Sequence, residues 1–478
     1  MTRRVPVGVL LLIAVLFLQG CDHPVDNSVY VNALHDLVAR TPSWVDRSPL
    51  GTRLWTDERQ FYEARQFMPA WVNGDEPAPQ MAGLIEQLKY SERHGLEPAT
   101  YRVNEFEQER AQATTKSGTH FDINAVPEMD AKMTYAYLRY AADLLGWTHS
   151  AHDVYENWLV KPKTDDLVAR LVRAVSTAQV GPTLEELAPT HPQYKGLQAA
   201  LAAEREHPDG HVEQLKMNLE RWRWAPRDLG DRYVLVNVPA YQMQVIEGDK
   251  PVLAMRVIVG SPENPTPLFG DEMTYIVFSP YWNIPESIIR KETIPHMAKD
   301  PEYLERNHIE IVSASGKDVI APSTIDWSDD SAIEKLHFRQ APGPENALGL
   351  VKFIFPNHFN VYLHDTPEDR LFSRPHRDLS HGCIRIENPV ALARYVLRDR
   401  PEWTPERIDA AMNAKKEQVV TLKERLPVHI GYWTAWVEPD GQTVTYTDDS
   451  YGIDAAQERL LKQQPPKPVK KSPTPAAA

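Results

Sequence analysis

Residues 232–259 read RYVLVNVPAYQMQVIEGDKPVLAMRVIV. Three apolar runs, Tyr233 to Val238, Tyr241 to Ile246 and Val252 to Val259, are separated by Pro239-Ala240 and by Gly248-Asp249. Short runs rich in β-branched and aromatic residues, bounded by turn residues, predict successive strands, so a β-rich domain begins near Arg232. Thr274 to Phe278, Val351 to Phe355, Asn360 to His364 and Val428 to Val437 continue the pattern. A helix is predicted after Asn388, which suits the N-cap, with Pro389 at the first helical position and Leu392, Tyr395 and Val396 on one apolar face. The stretch between Pro285 and Gly349 is too long for a hairpin loop and is partly helical in pattern; inserted segments of that length act as lids or binding loops.

Upstream the period changes. From about Val29 to Arg205 apolar residues recur at helical spacing, as in Met81, Leu84, Ile85 and Leu88, or Met133, Tyr137, Tyr140, Ala141, Leu144 and Leu145. Gly95, with Pro98 soon after, is placed to end the helix that includes Leu88. Trp55, Phe61, Tyr62, Phe67 and Trp71 could offer a surface for stacking sugars, but at such spacing they are expected to pack in a core. The fold class is therefore α+β: a helical domain over 29–205, a connector over 206–230, a mainly β domain over 231–452 with a capping insertion at 286–349, and a helix end with a tail over 453–478.

A chain of 478 residues suits about three domains at roughly 150 residues each. With 42% hydrophobic and 25% charged residues it has enough apolar surface to bury cores. Its 66 acidic and 52 basic residues leave a formal charge of −14, which repels polyanions and argues against nucleic acid as a partner. Only Cys21 and Cys383 are present, too few and too far apart for a disulfide framework or a cysteine zinc cluster.

The chemistry centres on Ser380-His381-Gly382-Cys383-Ile384-Arg385. A lone cysteine among small and basic residues is suited to act as a nucleophile, which needs a base to generate the thiolate. His358, His364, His376 and His381 are near in sequence, and His364 is preferred because it ends a strand candidate that can hold its ring rigidly. Gly382 allows close backbone approach, and the Gly382 and Cys383 amides could form an oxyanion hole, with Arg385 favouring thiolate or holding a substrate carboxylate. From residue types alone, a buried inert cysteine beside structural histidines stands as the alternative.

The wider pattern is specific. His364, fifteen intervening residues (365–379) and then Ser-His-Gly-Cys, with a strand before and a helix after, resembles the signature of YkuD-type L,D-transpeptidases. The segments 218–224 (NLERWRW), 274–283 (TYIVFSPYWN), 342–349 (PGPENALG) and 432–436 (YWTAW) resemble the large YcbB-like branch of that family, and 61–71 is similar, more weakly, to its scaffold domain. The resemblance implies Cys383 as the acylated nucleophile and His364 as its base, with Ser380, His381, Gly382 and Arg385 shaping the site and Tyr362, Trp282 and Asn283 lining the substrate cleft. It further implies peptidoglycan tetrapeptide stems as donor and acceptor, wall synthases as candidate partners, carbapenems as inhibitors, and chemistry that needs no metal or cofactor. A wall-trimming L,D-carboxypeptidase or endopeptidase and a non-catalytic wall-binding lipoprotein are the competing readings. The small peptidoglycan-binding module common in that branch has no room here, because 207–212 leads directly into the segment starting at Leu215.

The two ends carry signals of their own. Arg3 and Arg4 precede an apolar run from Val5 to Leu18, long enough for an export signal and short for a membrane span. It ends Leu18-Gln19-Gly20-Cys21, which resembles a bacterial lipobox, so residues 1–20 are expected to be removed and Cys21 lipidated, anchoring the protein to a membrane in the periplasm through the linker 21–28. Asp22 resembles a signal for inner-membrane retention. From Gln463 the proline-rich, lysine-bearing tail is expected to be extended and solvated.

Overall fold

The computed structural model describes residues 27–462 apart from 301, 314, 317 and 328–332. The export segment with Cys21 and Asp22 and the tail from Gln463 lie outside the described residues.

The chain forms two compact units that interleave in sequence: one holds residues 27–88, 99–139 and 166–183, the other 89–98, 140–165 and everything from 184 onward. In the first unit the helix Pro49–Ala64 begins on Ser48, whose hydroxyl accepts from the Gly51 amide at 3.0 Å, with proline at the first position. It buries Leu54, Trp55, Phe61 and Tyr62. Fully buried Asp130, on the helix Val126–Leu145, accepts from the Tyr62 hydroxyl at 2.6 Å and from the Trp71 amide at 2.7 Å, while the Trp71 indole donates to Thr134. Four of the five aromatic residues weighed as a sugar platform are thus core, as their spacing favoured; Phe67, at a left-handed φ of 60°, is half-buried with its ring against His35.

The second unit is built on strands β1 (Arg232–Asn237), β2 (Gln242–Glu247), β3 (Lys250–Gly260), β4 (Gly270–Phe278), β5 (Val351–Ile354), β6 (Leu363–His364), β7 (Asp378–Ser380), β8 (Ile384–Ile386) and β9 (Gln418–Gly431). They are ordered β7-β3-β8-β6-β5-β4-β9-β1-β2, and β2 also pairs with β3, so the sheet closes on itself with β7 alone on the rim of β3. Pairs β9–β1, β6–β8 and β7–β3 are parallel and the rest antiparallel. Closure leaves a single interior, filled by Val234, Val257, Ile276, Phe353, Leu363 and Ile384, while Leu392 and Ala393 of the helix Pro389–Val396 join the same core. That helix starts as its sequence predicts, with the Asn388 side chain accepting from the Ala391 amide at 3.0 Å.

The helices Pro192–Glu206 and Val212–Trp224 belong to this unit rather than to the first, for a reason the side chains make plain. Buried Arg221 donates to Gln457 and Asp454 and to the carbonyl of Tyr432, and Trp222 stacks between His191 at 4.3 Å and Trp433 at 4.6 Å. A cut at residue 205 follows the change of period in the sequence, whereas packing joins these helices to the barrel.

Two strand expectations change at their ends. Of Asn360 to His364 only the last two residues pair, because the Asn357 side chain donates to the carbonyls of Phe355 and Val361 and accepts from the Val361 amide, and Asn360 takes a positive φ of 56°. Val428 to Val437 breaks after Gly431, where Asn237 bonds both the amide and the carbonyl of Trp433, and the strand instead begins at Gln418.

The insertion forms a small subdomain on Trp282–Asn283, Ile309–Val312 and His337–Gln340, a three-stranded sheet with its own core of Ile284, Ile289, Leu304, Ile311 and Phe338. A π-helical turn, Ile289–Thr293, interrupts its first helix.

Candidate active site

Strand alternation builds the site. On β5, β6 and β8 the apolar residues Val351, Phe353, Leu363, Ile384 and Ile386 point into the barrel, so the residues between them face outward. Lys352 pairs with His364, His364 pairs with Arg385, and the Ile384 amide donates to the Tyr362 carbonyl at 3.2 Å. Lys352, Tyr362, His364, Cys383 and Arg385 therefore share one outer face, with Cys383 a diagonal neighbour of His364.

His364 is 4% exposed. Its Nδ1 lies 2.6 Å from the Asp365 carbonyl oxygen; a carbonyl only accepts, so Nδ1 carries the hydrogen and Nε2 presents a lone pair. Burial, then the charge of Arg385 and finally that of Lys352, hold the imidazole down at about 3 despite the Asp365 carbonyl. Asp365 is fixed in turn by the Leu350 and Thr366 amides, both at 2.7 Å. Gly349 passes close enough, at φ 59°, that a Cβ there would lie 2.4 Å from the Asp365 carboxylate.

Cys383 is half-buried, its Sγ 3.8 Å from the Asn360 carbonyl. Burial pushes its thiol up to about 11, against the opposing pull of Tyr362, Arg385 and Lys352. With the imidazole held low and the thiol held high, both groups are neutral at rest.

The turn carrying Cys383 is locked from within. Ser380 Oγ donates to the Cys383 carbonyl at 2.5 Å and accepts from the Gly382 amide at 3.1 Å, and the Gly382 carbonyl accepts from Thr266 Oγ1 at 2.9 Å. Gly382 sits at φ 111°, which other residues rarely adopt. This corrects the expected pair of oxyanion donors: the Gly382 amide is already engaged, and of the two only the Cys383 amide lacks an acceptor among the described residues. Ser380 thus shapes the turn from inside it.

Arg385 is anchored by Glu368 at 2.6 Å, with its buried Nε left without an acceptor among the described residues. His381 is exposed and meets Glu292 of the insertion at 2.7 Å. His358, against Phe359, and His376 are exposed, so of the four histidines weighed only His364 is buried on this face. Trp282 and Asn283 stand in the insertion's sheet, paired with Gln340 and Arg339, and Trp282 packs against that subdomain's core. Lys352 went unnoticed in the sequence; the signal available was one lysine alternating with apolar residues along Val351 to Phe355.

Two family models match the chain: a scaffold domain at residues 57–201 and an L,D-transpeptidase catalytic domain at residues 231–429. A Haemophilus influenzae protein described as "Putative L,D-transpeptidase" is 30% identical over 351 residues, covering 71% of this chain and 70% of that one. Among solved structures, an L,D-transpeptidase from Mycobacterium smegmatis aligns with 42% of this chain and 58% of its own at 14% identity and a TM-score of 0.20. An L,D-transpeptidase in complex with imipenem aligns over the same shares at 14% identity and a TM-score of 0.19. The chain thus spans less than two thirds of the length of these two solved relatives.

Proposed function

Because the chain belongs to the L,D-transpeptidase family, we propose that it cross-links peptidoglycan by joining third-position diamino acids of two peptide stems through a thioester on Cys383. The observation that carries this reading is His364, buried, tethered through Nδ1 to the Asp365 carbonyl, and presenting Nε2 on the face that bears the thiol.

The donor is a tetrapeptide stem whose scissile bond joins the third-position diacid to a terminal D-alanine. His364 Nε2 takes the thiol proton as Sγ attacks the carbonyl carbon. Charge developing on the carbonyl oxygen meets the free Cys383 amide. Collapse breaks the C–N bond, and the imidazolium returns its proton to the leaving amine, giving D-alanine and a neutral histidine. The side-chain amine of a second stem then attacks the thioester, loses a proton to His364, and expels the thiolate, which is reprotonated. A neutral resting pair suits this cycle, because the proton moves only when substrate occupies the face.

Export and lipidation at Cys21 would hold the enzyme in the periplasm on a membrane, with Asp22 favouring the inner one, within reach of the wall and its synthases. The test is muropeptide analysis after purified protein is incubated with tetrapeptide-rich sacculi. New dimers linked between third-position residues support the reading; shortened monomers without dimers reassign the protein to wall trimming. Failure of imipenem to add covalently to Cys383 reassigns it to non-catalytic binding.

A further inference from the structure

We propose that Lys352 anchors the carboxylate of the amino acid that leaves when Cys383 is acylated, so that the enzyme selects stems whose scissile bond lies next to a free chain end. The inference rests on the acyl-transfer reading above and assigns a residue which that reading does not use.

Lys352 is the one charged residue of β5 and pairs directly with His364 on the outward face. Its ammonium donates to the Tyr281 carbonyl at 3.3 Å and lies 5.8 Å from the centre of the Tyr362 ring. Among the described residues it has no carboxylate within ion-pair distance. Glu417, the acid that influences it, accepts from the Tyr281 amide instead. Arg385, the other cation on this face, already holds Glu368. Lys352 is therefore a half-buried positive charge whose neighbours are a carbonyl, an aromatic ring and the reacting pair.

Such a charge is costly to keep without a counter-ion, and the cost falls when an anion arrives. The leaving group brings one. In a donor ending in a free amino acid, the terminal carboxylate is three covalent bonds from the scissile carbonyl carbon, so a cation beside the nucleophile's face is placed to hold it. The four-carbon lysine stem gives the reach for a single charge-assisted hydrogen bond to that carboxylate. A stem extended past the scissile bond, or blocked there, offers no such group.

The experiment compares acyl-enzyme formation from a tetrapeptide stem ending in D-alanine and from its C-terminal carboxamide, using the full chain and its Lys352→Met and Lys352→Arg variants. Iodoacetamide alkylation of Cys383 across pH runs in parallel. Wild type is expected to favour the free acid by about 10–100-fold in kcat/KM, the range for a hydrogen bond to a charged group. Lys352→Met should lose that preference through KM for the acid, while its alkylation profile moves to higher pH because the lysine's pull on the thiol is gone, a change that weighs on acid and amide alike; Lys352→Arg should keep most of the preference. Because the acid-to-amide ratio is read within one protein, a smaller folded fraction cancels. An acid-to-amide ratio that Lys352→Met leaves at the wild-type value, with equal losses for both substrates, would show that Lys352 only tunes the thiol and overturn the inference, as would a wild type indifferent to the carboxylate. If wild type forms no acyl-enzyme from either stem, the acyl-transfer reading falls and this inference with it.

Discussion

His381 Nε2 and Glu292 Oε1 stand 2.7 Å apart, joining the loop that carries Cys383 to the π-helical turn of the insertion. Both side chains are 46% exposed, so the pair adds little to stability, and its interest is positional. π-Turns concentrate at functional sites, and this one brings the insertion within two residues of Cys383. Glu292→Gln is therefore expected to leave the melting temperature within about 1 °C of wild type, in line with the small worth of an exposed pair. It should also raise the hydrolysed fraction of thioester relative to cross-linked product, because a looser cover admits water. An unchanged product ratio would separate the contact from partitioning.

The roles proposed for the thiol and imidazole predict distinct losses. Cys383→Ala should abolish both transfer and covalent imipenem labelling without unfolding the protein, since a small residue replaces a thiol at a half-buried loop position. His364→Ala should reduce thioester formation by about 10²–10⁴-fold, the usual range for a general base. His358→Ala, at an exposed residue resting on Phe359, should have no effect. Stopped-flow acylation with imipenem measures all three, and equal behaviour of the two histidine variants would contradict the assignment of the base.

Burial sets the pH profile. The unfolded imidazole titrates near 6.5 and the folded one near 3, so between those values the folded state binds fewer protons than the unfolded chain. The stability linked to neutral His364 is therefore fully present above 6.5 and is lost as pH falls towards 3. In kinetics the His364 imidazole stays deprotonated across that window, so, if it is the base as proposed, imipenem acylation should show no acid limb at the ordinary histidine value. Alkylation of Cys383 by iodoacetamide should keep rising towards pH 11, where the thiol ionises. A plateau reached below pH 8 would mean that a preformed thiolate–imidazolium pair exists.

The barrel strands were legible where residues obey local rules. The runs around Val234, Val245 and Val257 alternate or cluster as strands must, and the Asn388-Pro389 start is a local signal that the structure uses as written. What stayed hidden depends on partners distant in sequence. The attachment of 212–224 to the barrel rests on Arg221 reaching Asp454, 233 residues away. The engagement of the Gly382 amide depends on a Ser380 rotamer, and the placing of Lys352 on the face that bears Cys383 depends on strand register, neither of which can be read from spacing. Cys383 and His364 draw notice in the sequence because their types carry chemistry wherever they fall, whereas a lysine on a strand is ordinary until its neighbours are known.

The insertion has its own core and a narrow base, which makes its removal informative. Ile284, Ile289, Leu304, Ile311 and Phe338 bury one another, and Trp282, Ile288, Ile309 and Trp327 pack on that cluster rather than on the barrel interior. At the base, the Ser279 amide donates to the Leu350 carbonyl at 2.8 Å, and Asn346 ties the insertion to the Pro280 carbonyl at 3.1 Å. Replacing residues 282–346 with a short Gly-Ser linker removes the subdomain together with all three of its strands, and the Ser279–Leu350 bond remains to close the barrel. The shortened protein is expected to melt cooperatively and to be acylated by imipenem at Cys383, since the register of β5, β6 and β8 does not pass through the deleted stretch. Its cross-linking of sacculi should fall and its hydrolysed fraction rise, because a segment that covers a thioester excludes water and helps admit the amine. Thermal melting and muropeptide products decide the matter: an unfolded product makes the insertion part of the folding unit, and a folded one with the wild-type ratio of dimer to hydrolysed stem removes its role as a cover.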